Sequence, residues 1–177
     1  MARERVIADA PIGQRMIAWG PAVFAGLAGG LAFLILQMFL TMVIGGESPW
    51  APVRMMASIV LGRGAIAPSA TFDLYVLFVG IVVHFVLAMI YGVVFAFFVH
   101  RWHMGLWRWS AWLAAAVGGV CGIVLYALNF YAFTHVFPWF AEARTVVTFF
   151  DHIVFGVVTG VAYELFARSE RQAIARG

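Results

Sequence analysis

The chain has 177 residues, of which 64% are hydrophobic and 11% are charged, and its formal net charge is +3. A soluble domain usually has about a quarter of its residues charged, so a soluble globular enzyme is excluded. The basic residues are all arginines and lie near the ends of apolar stretches, a pattern typical of proteins whose partner is the lipid bilayer. It gives no indication of a nucleic-acid partner.

Four long segments that are nearly free of charged residues predict four transmembrane helices. They cover residues 18–44, 74–99, 110–134 and 145–166, and each is long enough to supply the roughly 20 residues that cross a bilayer. Helices are expected because hydrocarbon offers backbone polar groups no partner. We therefore predict an all-α integral membrane protein, a four-transmembrane-helix bundle in a single membrane domain over residues 1–177.

The loop between the first two segments carries a helical pattern of its own. Pro52 suits the first turn of a helix, because its missing N–H costs nothing there. The apolar residues that follow recur at helical spacing on one face: Val53, Met56, Ala57, Val60 and Leu61. This predicts a short interfacial helix in the first outer loop, with Arg54 and Ser58 off its apolar face. An ordinary structured loop is the alternative.

The arginines are distributed unequally between the two sides of the predicted bundle. The tails 1–17 and 168–177 and the inner loop 101–109 together hold eight of the eleven. Because positive residues are enriched on the cytoplasmic side, we expect both termini in the cytoplasm. The expected location is a bacterial inner membrane, crossed several times.

The two halves of the chain resemble two copies of one helical hairpin, over about 18–100 and about 110–167. An offset of 89 (118 minus 29) aligns Gly29-Gly30 with Gly118-Gly119 and Pro49-Trp50 with Pro138-Trp139. An offset of 68 (152 minus 84) aligns His84 with His152 and Gly92 with Gly160. Both halves begin on the same side, so their axis is expected to run along the membrane normal.

The matched histidines are the candidate site. His84 and Gly92 share one face of the second span, as His152 and Gly160 share one face of the fourth. Small residues on such a face let helices approach closely, so we expect both imidazoles to face protein, at equal depth and towards each other. An ionisable residue inside a membrane is a functional hypothesis by default.

Several roles stay open for this pair between spans two and four. Each histidine could simply bond to a neighbouring helix, which is the default expectation. Both could ligate a haem b, or one could hydrogen-bond a quinone, with Gly92 and Gly160 providing close packing beside the site. Metal binding or proton transfer is the remaining possibility, although zinc and copper need more ligands than two.

Asp151 precedes His152 and is the other ionisable group of interest in the fourth span. Arg144, Thr148 and Asp151 lie along one stripe of a helix. An Arg144–Asp151 ion pair near the outer surface, reached by water, is the structural expectation. The functional alternative is a proton path through Asp151 towards His152.

The absence of catalytic motifs shapes the functional expectation. The sequence contains no HExxH zinc motif and no phosphate-binding glycine loop, and no segment could form a soluble catalytic domain. We expect a non-catalytic accessory or structural subunit of a larger respiratory or electron-transfer membrane complex, whose partners are other membrane subunits or further copies of itself. The alternative is a small-solute or ion transporter or channel acting as a homo-oligomer. Enzymatic activity is left open, with its absence favoured.

Overall fold

The computed structural model describes residues 17–67, 72–101 and 110–176, and these residues form helices and turns with no β-strand among them. The long helices are α1 (Trp19–Val43), α2 (Ala51–Leu61), α3 (Leu74–Arg101), α4 (Ala111–Ala127) and α5 (Val146–Arg176). Expectations for the N-terminal tail and the inner loop fall mostly outside the described residues.

Shorter helical turns link these helices. A 3₁₀ turn, Arg63–Ile66, follows α2. α4 continues directly into a π-helical turn, Leu128–Ala132, and two 3₁₀ turns, Phe133–His135 and Pro138–Ala143, then lead to α5. The end of the bundle that carries α2 and Pro138–Ala143 is called the capped end below.

Four helical segments are long and apolar enough to cross a membrane: α1, α3, α4 with its following turns, and α5. The prediction of an all-helical protein with four spans is thereby confirmed. α5 stays helical as far as Arg176, beyond residue 167, the expected end of the second repeat. In this last part of α5 the buried Glu164 carboxylate pairs with Arg168 and Arg171. The negative charge of Glu164 is therefore compensated at the point where the helix leaves the apolar region.

The helices pack in the order α3, α1, α5, α4, with α1 and α5 in the centre and α2 lying against α3. Glycines make the close approaches possible. Gly26 of α1 lies against the Ala88 carbonyl of α3, and Gly118 of α4 lies against the Gly156 carbonyl of α5, with no room for a Cβ at either glycine. Such small-residue contacts are the usual basis of helix association in lipid.

The two hairpins use the same internal register. Gly92 of α3 lies against the Ala22 carbonyl of α1, and Gly160 of α5 lies against the Ala114 carbonyl of α4. The two alanines that accept these glycines, Ala22 and Ala114, are 92 positions apart (114 minus 22). The glycine doublets, in contrast, align at an offset of 89 positions. The doublets aligned by sequence also have different neighbours, because Gly29 packs against Thr159 and Phe155 of the other hairpin whereas Gly118 packs within its own.

The bundle is not a closed ring. α1 packs against α5, but in the described parts of the chain α3 and α4 are not a closely packed pair. A twofold axis along the membrane normal would exchange the α1–α5 contact with the α3–α4 contact and make the two alike. Because these contacts differ, the hairpins resemble each other in their internal contacts more than in the way they pack against one another. Towards the capped end the space between α3 and α4 is a cavity.

α2 presents a different face to the protein from the one its apolar spacing predicts. Ser58 is fully buried beside Val53 and Ala57, while Val60 is 65% exposed. The Val53 carbonyl packs against Gly80 of α3, and the Ser58 hydroxyl accepts a 2.8 Å hydrogen bond from the Trp139 indole N–H. The buried face of α2 is therefore the one that packs against α3 and bonds to Trp139.

Candidate functional site: a cavity with two histidines

A cavity of about 790 Å³ occupies the capped end of the bundle and reaches down to both histidines. α1 and α5 form its back, α3 and α4 its sides, and α2 with Pro138–Ala143 its cover. Its walls are mainly apolar, from Phe33 and Leu34 on α1 to Phe155 on α5. An apolar cavity of this size with a few convergent polar groups is the usual form of a small-molecule site.

His84 lies on the α3 side of the cavity and is bound to α1. Its Nε2–H donates to the Gly30 carbonyl at 2.8 Å, and the side chain is 8% exposed. The bond is possible because Gly30 has no side chain and sits against Ala88, one turn along α3 from His84. The small-residue seam of the first hairpin thus positions the imidazole.

His152, which is 5% exposed, lies on α5 and uses both ring nitrogens. Its Nδ1–H donates to the Thr148 carbonyl at 2.8 Å, and its Nε2 accepts from the Asn129 amide at 3.1 Å. The Asn129 carbonyl oxygen accepts in turn from the Tyr91 hydroxyl, also at 3.1 Å. This chain of hydrogen bonds joins α3 to α5 across the floor of the cavity.

Asn129 reaches this position from the π-helical turn that follows α4. A π turn interrupts the regular hydrogen bonds of a helix and is often found at functional sites. Here Arg144 satisfies the freed groups: its guanidinium donates to the Phe130 carbonyl at 2.6 Å and to the Thr134 hydroxyl at 3.2 Å. The same guanidinium lies 4.6 Å from the centre of the Tyr131 ring, a cation–π distance.

The arrangement of Arg144 corrects the structural expectation for Asp151. Arg144 is bound to the π turn and not to Asp151, which is fully buried and so is not reached by water. Both of its carboxyl oxygens are without a hydrogen-bond partner among the described residues. No described hydrogen bond connects Asp151 to His152, although the two are neighbours in the chain.

Phe33 of α1 contacts both imidazoles, with ring-centre distances of 5.6 Å to His84 and 5.1 Å to His152. The two histidines therefore approach the same point of α1 from opposite sides. Their Nε2 atoms are directed to different partners, one to the α1 backbone and the other to the π turn. Ligation of a single iron by both would require His152 to give up one of its two hydrogen bonds.

Gly92 and Gly160 lie two turns along their helices from the histidines. They pack against α1 and α4, respectively, and neither lines the cavity. Their contribution is to hold the hairpins together at the opposite end of the seam from the capped end. Among the described residues there is no cluster of three His, Cys, Asp or Glu that could hold a metal ion.

Sequence reasoning did not identify Phe33, Tyr91 or Asn129 as residues of the site. Tyr91 is seven residues after His84, a spacing that places both on one face of α3. Asn129 is the single asparagine of the chain and lies in an apolar segment. Either feature could have suggested the site, whereas nothing local indicates that Phe33 would touch both histidines.

The rim of the cavity connects the two loops of the capped end. Arg63 pairs with Glu142 at 3.2 Å, although both side chains are well exposed, and Glu142 lines the cavity together with Glu47 and Arg54. Exposed pairs of this kind contribute about 0–1 kcal/mol, so this ion pair adds little to the Trp139–Ser58 hydrogen bond that joins the same two parts of the chain.

No protein-family model matches the chain, and neither a curated protein nor a solved structure does.

Proposed function

We propose that the protein is a membrane-embedded subunit that binds a lipophilic molecule of the quinone class in the cavity at its capped end. The observation that carries the proposal is the cavity itself: about 790 Å³, with apolar walls and a floor formed by His84, His152, Asn129 and Tyr91. A quinone combines a polar ring with an apolar tail, and the polar floor and apolar walls complement these two parts.

A quinone suits the hydrogen bonds of the floor better than a haem does. A haem between the histidines would need one nitrogen of each ring as a ligand, and both nitrogens of His152 already have protein partners. A quinone needs only hydrogen-bonding groups and leaves these bonds in place. The floor also retains the structural role expected by default, because each histidine ties two helices together.

Assembly and orientation complete the proposal. The chain would pass its ligand or its reducing equivalents to other subunits of a respiratory or electron-transfer complex in a bacterial inner membrane. The uneven distribution of the arginines supports an orientation with both termini in the cytoplasm, which would put the capped end outside. The matching Gly92–Ala22 and Gly160–Ala114 contacts support a duplicated hairpin, and α2 would then lie near the outer membrane surface.

A transporter or channel acting as a homo-oligomer is the second candidate. The charged rim, with Glu47, Arg54 and Glu142, favours it because a polar solute could enter there. The glycine seams that close the bundle beyond the cavity oppose it, since a solute would need a second opening. Flux into vesicles containing the purified protein would favour this candidate over the first.

Binding of a decyl-substituted benzoquinone to the protein in lipid nanodiscs, measured by calorimetry, tests the proposal. We expect saturable binding of one molecule per chain. Leu125→Trp would fill the cavity, which Leu125 lines, and should weaken binding at least tenfold. Val124→Trp, the neighbouring substitution at an exposed position outside the cavity, should leave it unchanged. Absence of saturable binding, or equal binding by both variants, would contradict the proposal.

A further inference from the structure

The hydrogen-bond partners of the two histidines determine which ring nitrogen carries the proton. A backbone carbonyl can only accept, so the Nε2 of His84 facing Gly30 and the Nδ1 of His152 facing Thr148 are the protonated atoms. In the uncharged rings, the acceptors are then Nδ1 of His84 and Nε2 of His152. The histidines at matching places in the two hairpins are opposite tautomers.

The Asn129 network agrees with this assignment. Tyr91 donates its hydroxyl proton to the Asn129 carbonyl oxygen, which turns the amide NH₂ towards His152. An amide N–H can pair only with an acceptor, and Nε2 of the assigned tautomer is one. Both ring N–H groups and the Tyr91 hydroxyl proton are therefore used within the protein and cannot be donated to a ligand.

Two acceptors in the cavity have no described partner. His84 lines the cavity, and its described hydrogen bond leaves the Nδ1 lone pair available. Gln37 also lines the cavity, is 8% exposed, and has a carbonyl oxygen without a hydrogen-bond partner. The amides of Gln37 and Asn129 each use one hydrogen, towards Thr41 and His152 respectively, and each keeps a second one for a ligand. A ligand that both donates and accepts can therefore use this site fully, whereas one that only accepts leaves His84 Nδ1 unpaired.

We propose that the ligand donates a hydroxyl proton to His84 Nδ1, so that the cavity binds the quinol, the reduced form, in preference to the quinone. This inference rests on the proposed function. A quinone carbonyl can only accept, whereas a quinol hydroxyl donates to His84 and still accepts from Asn129. A tenfold preference for the quinol would raise the two-electron potential of the bound couple by about 30 mV.

The test compares three probes that share a decyl tail: a hydroquinone, its dimethyl ether and the benzoquinone. Binding to the protein in nanodiscs is measured without oxygen. The ether keeps the shape of the hydroquinone but has no hydroxyl proton to donate. We expect the hydroquinone to bind at least tenfold more tightly than either of the other two.

His84→Leu removes the acceptor, because a leucine side chain has no hydrogen-bonding group. It also leaves the Gly30 carbonyl without its donor, but this loss affects the binding of hydroquinone and ether alike and cancels in their comparison. We expect the preference for hydroquinone over ether to fall to less than threefold. His135→Leu is the matched control, because His135 does not line the cavity, and it should keep the wild-type preference.

The outcomes distinguish the two proposals. If none of the probes binds, the proposed function fails and the inference fails with it. If the quinone or the ether binds as tightly as the hydroquinone, the site exists but the inference is wrong. A preference that survives His84→Leu would likewise overturn the assigned role of Nδ1.

Discussion

Two adjacent glycines of α4 allow a direct test of the helix packing that supports the cavity. Gly118 faces α5, and a Cβ there would lie 2.8 Å from the Gly156 carbonyl carbon and closer still to its oxygen. Gly119 is the next residue, and its Cβ would lie 3.4 Å from Val157 Cγ2, an ordinary contact distance. Gly118→Ala and Gly119→Ala are therefore the same substitution in different surroundings.

The expected magnitude follows from these distances. For Gly118→Ala to reach an ordinary contact of 3.4 Å, α4 and α5 must separate by at least 0.6 Å (3.4 minus 2.8), because backbone atoms cannot rotate away. Overpacking of this kind typically costs about 1–3 kcal/mol. Alanine favours a helix over glycine by up to about 1 kcal/mol, but this gain is common to both variants and cancels in their comparison.

Unfolding in mixed detergent and sodium dodecyl sulfate micelles, followed by circular dichroism, measures the free energy of each variant. We expect Gly118→Ala to be about 1–3 kcal/mol less stable than Gly119→Ala, and Gly119→Ala to be at least as stable as the wild type. Equal stabilities would show that α4 and α5 do not approach as closely as described, and the assignment of this seam would be wrong.

Three further predictions concern the polar groups. Asn129→Ala should cost about 1–3 kcal/mol in the same unfolding assay, because it leaves its two partners, Tyr91 and His152, unpaired. Tyr91→Phe should cost less, since it removes one donor only, and the reverse order would contradict the network. Asp151→Asn should leave stability unchanged or raise it, because no described hydrogen bond is lost and a buried carboxyl group without a partner is costly. A marked loss of stability would reveal a partner of Asp151. Trp139→Phe should cost about 0.5–1.5 kcal/mol by removing the bond to Ser58 and should increase hydrogen exchange in α2, while unchanged exchange would mean that this bond does not hold α2.

The number and type of the membrane spans follow from the sequence, because hydropathy along the chain is a local property. A segment such as 74–99 must be a helix in lipid whatever its neighbours are. The spacing of His84 from Ala88 and Gly92 likewise requires all three to share one face. A lipid-facing glycine seam would bring no close packing, so the burial of His84 and His152 could be expected before any contact was known.

The registers and partners could not be obtained in this way, because they depend on which helices meet. Gly29 and Gly118 align in the sequence, yet one faces the other hairpin and the other faces its own. Arg144 and Asp151 share a stripe of an ideal helix, but α5 begins only at Val146, and the π turn offers Arg144 free carbonyls instead. Only the tertiary structure separates α3 from α4 and so opens the cavity, and only the carbonyls of Gly30 and Thr148 decide where each histidine carries its proton.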